Sequence, residues 1–181
     1  MDGASNDLLR QLADKQEIAE QIYRYCRGLD RLDEPTLLSV YHPDATEDRG
    51  EGVFVGAAAD MARLAIGQLR TAYAASQHFI GNVLIELQGD LAFAESYFQA
   101  YHRYADREGA PATELIMAGR YLDRFERGQG VWKIAHRKMV NDWSRTQPVA
   151  DGWLQRHAGA HRSRRSIDDS GLSVEGSPHG A

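Results

Sequence analysis

The chain has 181 residues, 43% hydrophobic and 26% charged, a balance that suits one globular domain with a sizeable core rather than two. A formal net charge of −5, with 21 Lys and Arg spread along the chain, gives no electrostatic basis for a nucleic-acid partner. The single cysteine, Cys26, excludes an intrachain disulfide and a Cys-rich zinc site and predicts a reducing, cytoplasmic setting, while the absence of an apolar leader or of any run of about 18 apolar residues predicts neither export nor a membrane span.

From Asn6 to about Arg31 the residues Leu8, Leu12, Ile18, Ala19, Ile22, Cys26 and Leu29 recur at three- and four-residue spacings, which predicts an amphipathic helix capped by Ser5 or Asn6. EPTLLSVYHPDA, residues 34 to 45, reads as a second helix with Pro35 in its first turn and Pro43 at its end. GAAADMARLAIGQLRTAY, residues 56 to 73, reads as a third, with Met61, Leu64, Ala65 and Leu69 as its buried stripe. Four strand-like runs follow: SQHFIGNVLIEL, LAFAESYFQAYHRY, PATELIMAGRYLDRFER and VWKIAHRKMVNDW, divided by turn signals around Gly89, Gly109 and Gly130. Short turns between consecutive strands imply antiparallel pairing. The expectation is an α+β domain over residues 1 to 154, a cone-shaped curved antiparallel sheet covered by the N-terminal helices. Residues 155 to 181, rich in Gly, Ser, Arg and His, read as a mobile tail in which HRSRR is a solvated charge run.

Strict alternation puts His78, Ile80, Asn82, Leu84 and Glu86 on one face of the first long strand and Phe79, Val83, Ile85 and Leu87 on the other, which predicts cover on both sides. In the last strand it groups Ala135, Arg137, Met139, Asn141 and Trp143, so that Arg137 is either a charged group in a pocket or a stem packed on a surface. Asp30 closes the first helix, where a carboxylate opposes the helix dipole; it is either an end-of-helix residue or a functional one. Tyr25 lies about 140° away from Asp30 on an ideal helix. The sequence contains no HExxH, no glycine-rich phosphate loop and no cysteine cluster, so no metal or cofactor is expected.

The order "IYRYCRGLD … LLSVYHPDA", then "HFIGN", then "GRYLDRFER … GVWKIAHR" resembles the polyketide-cyclase (SnoaL)-like branch of the nuclear transport factor 2-like superfamily, from about Leu8 to Trp143. Within that branch the chain is similar to the group holding hexachlorocyclohexane dehydrochlorinase, bile-acid 7α-dehydratase and scytalone dehydratase. The resemblance implies a cystatin-like α+β barrel around a cavity, assembled as trimers or dimers. It places a His–Asp dyad on His78 and Asp30, an active-site arginine on Arg137 and an active-site tyrosine on Tyr25, where the dehydrochlorinase differs. His102 matches a second active-site histidine of scytalone dehydratase. Tyr101, His102, Met139 and Trp143 are the expected substrate contacts.

A neutral imidazole oriented by a carboxylate suits removal of a carbon-bound proton near neutral pH. The implied activity is a cofactor-independent lyase that eliminates water, a hydrogen halide or formaldehyde from a hydrophobic cyclic or aromatic small molecule. A ketosteroid-isomerase-like enzyme or polyketide cyclase is the second reading, and a non-enzymatic binding or assembly module the third.

Overall fold

A computed structural model describes residues 3–150, 152–163 and 165–166. Two helices, α1 (Gly3–Arg31) and α2 (Glu34–Ser39), precede strands β1 (Tyr41–Asp48) and β2 (Val55–Ala57), then α3 (Ala58–Ala72). Four long strands follow, β3 (Tyr73–Gln88), β4 (Leu91–Tyr104), β5 (Thr113–Gly128) and β6 (Val131–Pro148), and a short α4 (Gly152–Arg156). The architecture is the expected α+β one: N-terminal helices lie over a single curved sheet in the order β2-β1-β6-β5-β4-β3, which stays open rather than closing into a barrel.

The helix prediction needs two corrections. Leu8 and Leu12 are exposed, so the buried stripe of α1 begins at Ile18 and runs through Ile22, Tyr25, Cys26 and Leu29; likewise Leu64 of α3 faces outward. The second helix ends at Ser39, and Pro43 lies inside a strand instead of stopping a helix. Pro43 is tolerated there because β1 pairs with β6 at Tyr41↔Ile134 and again from Thr46↔His136, with an irregularity between that spares the missing N–H. This β1–β6 pairing is parallel, a departure from an all-antiparallel meander.

Between α1 and α2 the chain reverses at Leu32, φ 55°, where Asp33 N–H reaches back to Gly28 O at 2.9 Å. Asp33 then caps α2, Oδ1 accepting from the Thr36 amide at 3.0 Å and Oδ2 from its hydroxyl at 2.6 Å. Midway along α1, Asp14 Oδ1 accepts from Arg127 Nη1 at 2.7 Å and Trp132 Nε1 at 3.0 Å, and Glu17 Oε1 from the Trp132 amide at 3.0 Å. These bonds pin the helix to the sheet and so set where Asp30 arrives, about 24 Å farther along the axis.

Bulges overturn both face assignments. In β3 the register slips between Ile80 and Val83, so the core-facing set is His78 and Ile80, then Val83, Ile85 and Leu87. Phe79 and Leu84 consequently share the outer face, each 65% exposed, and that face lacks the cover expected from the sequence. In β6 the pairing skips Ala135 and again Asp142, so Trp132, Ile134, Arg137 and Met139 turn to the core while Trp143 turns outward. Gly119 permits the second irregularity: a Cβ there would sit 2.0 Å from Val140 O.

Candidate active site

Asp30 projects from the last turn of α1 to the first half of β3. Its Oδ2 accepts the His78 backbone N–H at 2.8 Å and its Oδ1 accepts His78 Nδ1–H at 2.7 Å. Both carboxylate oxygens are thus occupied by one residue, and these bonds offset the unfavourable placement at a helix C-terminus. The main-chain bond fixes the carboxylate, which in turn fixes the ring and its tautomer: Nδ1 carries the proton and the lone pair is left on Nε2. The side chains are 7% exposed for His78 and 20% for Asp30.

His78 stands between two spaces. An inner cavity of about 330 Å³ under the helices is lined by His78 together with Tyr25, Arg49, His102, Met117 and Met139, among others. An outer groove of about 670 Å³ is lined by His78, Asp30, Cys26 and Tyr101, and by Leu154 and Ser163 of the C-terminal segment. This explains how Tyr25 and Asp30, on different sides of one helix, serve a common place: Tyr25 enters the cavity while Asp30 grips the strand from the groove side. The C-terminal segment also reaches the site through Arg165 Nη1, which donates to Tyr73 O. Residues 167 to 181 of the expected tail lie outside the described residues.

Tyr25 is 2% exposed, and its hydroxyl oxygen accepts from Arg49 Nη2 at 3.1 Å. Burial, then the nearby Glu47 carboxylate, pushes the phenol above its ordinary pKa, so it stays protonated. His102 is 7% exposed, its ring edge-on to His78 with centroids 5.5 Å apart, and its Nδ1 has no partner among the described residues. Burial and the neighbouring His78 lower its pKa to about 4, which keeps this second imidazole neutral at pH 7.

Arg137 is placed differently from the open active-site arginine that the resemblance implies. It is fully buried, bound through Nε and Nη2 to the two Asp123 oxygens at 2.7 Å each, and its guanidinium carbon lies 4.0 Å from the Tyr25 ring centroid and 4.1 Å from that of Tyr121. It stands behind Tyr25 and does not line the cavity. Trp143 lines neither space, because the extra residue Asp142 reverses its side. Among the described residues no three His, Cys, Asp or Glu side chains form a cluster able to hold a metal ion.

The sequence reading overlooked Arg49 and Tyr73, both in the cavity wall, and grouped Asn141, also there, with Met139 without giving it a role. No apolar alternation marks Arg49: Thr46, Glu47, Asp48 and Arg49 are all polar, and only the structure shows that Ala45 and Glu47 are buried on the side that leads to residue 49. The proline at 43 concealed that strand.

The model of the SnoaL-like domain matches residues 10–138. No curated protein matches the chain. Among solved structures, a candidate scytalone dehydratase from Novosphingobium aromaticivorans is 20% identical, with a TM-score of 0.67 over 77% of this chain and 91% of that one. A hexachlorocyclohexane dehydrochlorinase, LinA-type3 of Novosphingobium barchaimii, is 20% identical, with a TM-score of 0.63 over 81% of this chain and 95% of that one. A protein of unknown function with a cystatin-like fold, from Nostoc punctiforme, is 22% identical, with a TM-score of 0.57 over 72% of this chain and 92% of that one. At these identities the likeness is one of fold.

Proposed function

The chain belongs to the SnoaL-like domain family, and on that premise we propose that it is a cofactor-independent lyase with His78 as base and Asp30 as its partner. The reaction removes water, or a hydrogen halide or formaldehyde, from a hydrophobic cyclic or aromatic small molecule. The observation that carries this reading is the pair itself: a buried imidazole locked by one carboxylate through both its ring and its backbone, beside a largely apolar cavity. Similar solved structures that include a dehydrochlorinase lend support.

In this reaction Nε2 of His78 takes the carbon-bound proton, and Asp30 stabilises the imidazolium that forms. The C–H electron pair becomes the new double bond, the carbon–oxygen bond breaks, and the departing hydroxide recovers the proton from the imidazolium as water. Low dielectric in a wall that includes Leu69, Phe98, Met117 and Met139 strengthens the transient ion pair. The volume, at the small end of ligand pockets, suits a molecule of one or two rings.

The experiment is incubation of wild type and His78→Ala with β-hydroxy ketones, hydroxysteroid thioesters, chlorinated cyclohexanes and lignin-derived diaryl diols, read by mass spectrometry. A His78-dependent loss of water, hydrogen chloride or formaldehyde is expected; undiminished turnover by a folded His78→Ala would overturn the reading. A second reading, proton relocation by an isomerase or cyclase, draws on the Tyr25–Arg49 contact in the cavity that His78 also lines and predicts a product of unchanged mass.

We further propose a homo-oligomer, a trimer or dimer, formed through the outer sheet face that carries exposed Leu84, Phe93 and Tyr97. No described helix is long and apolar enough to cross a membrane. A cytoplasmic location is the proposal that suits the lone buried Cys26.

A further inference from the structure

The C-terminal segment carries an arginine up to the dyad. HRSRR, residues 161 to 165, reads in the sequence as a solvated charge run, but its last member is partly buried. Arg162 Nη2 donates to Leu154 O at 2.8 Å, which folds the segment back on α4, and Leu154 and Ser163 close one side of the outer groove. Arg165 then reaches the start of β3, where its Nη1 donates to Tyr73 O. Tyr73 lines the inner cavity, and its ring packs against that of His102 with centroids 4.8 Å apart. Burial lowers the pKa of the Arg165 guanidinium, and the nearby Asp30 carboxylate opposes that.

The remaining donors of Arg165 are unmet. Its Nε and Nη2 are buried with no partner among the described residues, as are Ser76 Oγ and His102 Nδ1. Ser76 and His102 stand opposite each other on β3 and β4, and His78 lies two residues along the same face. Buried polar groups ordinarily find partners, and a charged donor deprived of both water and an acceptor is costly. Nε and Nη2 form one edge of the guanidinium, with N–H bonds spaced for the two oxygens of a carboxylate. The same edge of Arg137 holds Asp123 at 2.7 Å through each nitrogen, so the protein itself shows what satisfies it. The carboxylate near Arg165, that of Asp30, already has both oxygens engaged by His78.

We propose that the Nε and Nη2 edge of Arg165 is a carboxylate-binding subsite beside the dyad, and that the substrate carries a carboxylate which this edge grips while His78 removes the proton from carbon. The assignment rests on the lyase reading and deepens it: the substrate class narrows to carboxylic acids of otherwise apolar cyclic or aromatic compounds. Arg165 is a positioning residue and takes no part in bond making, since the charge of the carboxylate is unchanged through the elimination. Ser76 O–H is a further donor on the face of β3 that carries His78. Because the segment covers Nε and Nη2 when it lies closed, the carboxylate enters with the segment lifted and is then covered by it.

The test is binding by full-length protein, with 4-nitrobenzoate as the probe and 4-nitrobenzamide as its uncharged isostere, read by equilibrium dialysis and absorbance. Wild type should prefer the carboxylate. Arg165→Met should lower 4-nitrobenzoate affinity about tenfold to a hundredfold, the loss of a paired bond between charged groups, and leave 4-nitrobenzamide affinity unchanged. Arg165→Lys, which keeps the charge without the planar edge, should recover only part of the loss. Arg156→Met removes an exposed positive charge from the same segment and should change neither affinity; a loss as large as that of Arg165→Met would reveal a diffuse field and overturn the subsite. Equal affinities for the two probes in wild type would overturn it too, as would a lower melting temperature of Arg165→Met with the preference intact, which would make Arg165 a clasp of the segment. Acetate should compete far more weakly than 4-nitrobenzoate, and equal competition would assign the edge to small free anions and sink the substrate proposal. His78→Ala should keep the carboxylate preference. A kept preference with no eliminating activity would defeat the lyase reading and leave the subsite standing; elimination at equal kcat/KM from acids and their amides would do the reverse.

Discussion

Replacing Asp30 by Asn keeps the shape of the side chain and removes its charge. In the native arrangement both oxygens accept, one from the His78 amide at 2.8 Å and one from Nδ1–H at 2.7 Å. An amide has one accepting oxygen, so one of these donors must face an NH₂ group. The lost charge-assisted bond is worth about 1.5–3 kcal/mol, which corresponds to about a tenfold to a hundredfold effect where it acts on the transition state. For the substrate identified by mass spectrometry, kcat/KM of Asp30→Asn should fall by that factor with KM nearly unchanged. The melting temperature should also fall by roughly 3–12 °C, since 1 kcal/mol shifts a domain of this size by about 2–4 °C. A merely structural Asp30 would produce the second effect alone. The decisive measurement is the cycle with His78→Ala: if Asp30 acts through His78, the double variant turns over no more slowly than His78→Ala alone. Additive losses, or an Asp30→Asn enzyme within threefold of wild type, would refute the coupling.

Three further outcomes are expected. Asp123→Asn leaves fully buried Arg137 without its carboxylate and should cost about 3–5 kcal/mol of stability in denaturant titrations; a change below about 1 kcal/mol would show that the tyrosine rings alone carry the cation. His102, with a folded pKa of about 4 against an ordinary 6.5, binds fewer protons folded than unfolded between those values, so its contribution is present above pH 6.5 and is lost as pH falls toward 4. That loss is bounded at about 3 kcal/mol, and His102→Phe should flatten the stability-against-pH curve in this window; equal slopes for both proteins would exclude His102 as the source. Light scattering should find a dimer or trimer that Leu84→Lys, on the outer sheet face, converts to monomer, and a monomeric wild type would remove the oligomer proposal.

The helical stripe of α1 from Ile18 onward, the four long strands and their turns were legible in the sequence, because each depends on residues a few positions apart. The 3.6 and 2.0 periods are local quantities, and so are the turn residues at Gly89, Gly109 and Gly130, whose φ values are positive. Which face each strand buries was not legible beyond its first bulge. The extra residue at Gly81–Asn82 or at Asp142 exists only relative to the neighbouring strand, and each one reversed the side of everything after it. The same holds for β1, where Pro43 argued against a strand until its parallel pairing with β6 left that position unbonded. His78 and Asp30 were named from the sequence, yet their meeting across 48 residues depends on the register of α1 on the sheet, set far away by Asp14 and Glu17. Tertiary structure alone decided which arginine faces the cavity: Asp123 and two aromatic rings enclose Arg137, and Glu47 holds Arg49 open beside Tyr25. Sequence patterns state which residues are chemically capable, but only long-range packing states where a charge can be neutralised and where it must be left to meet a ligand.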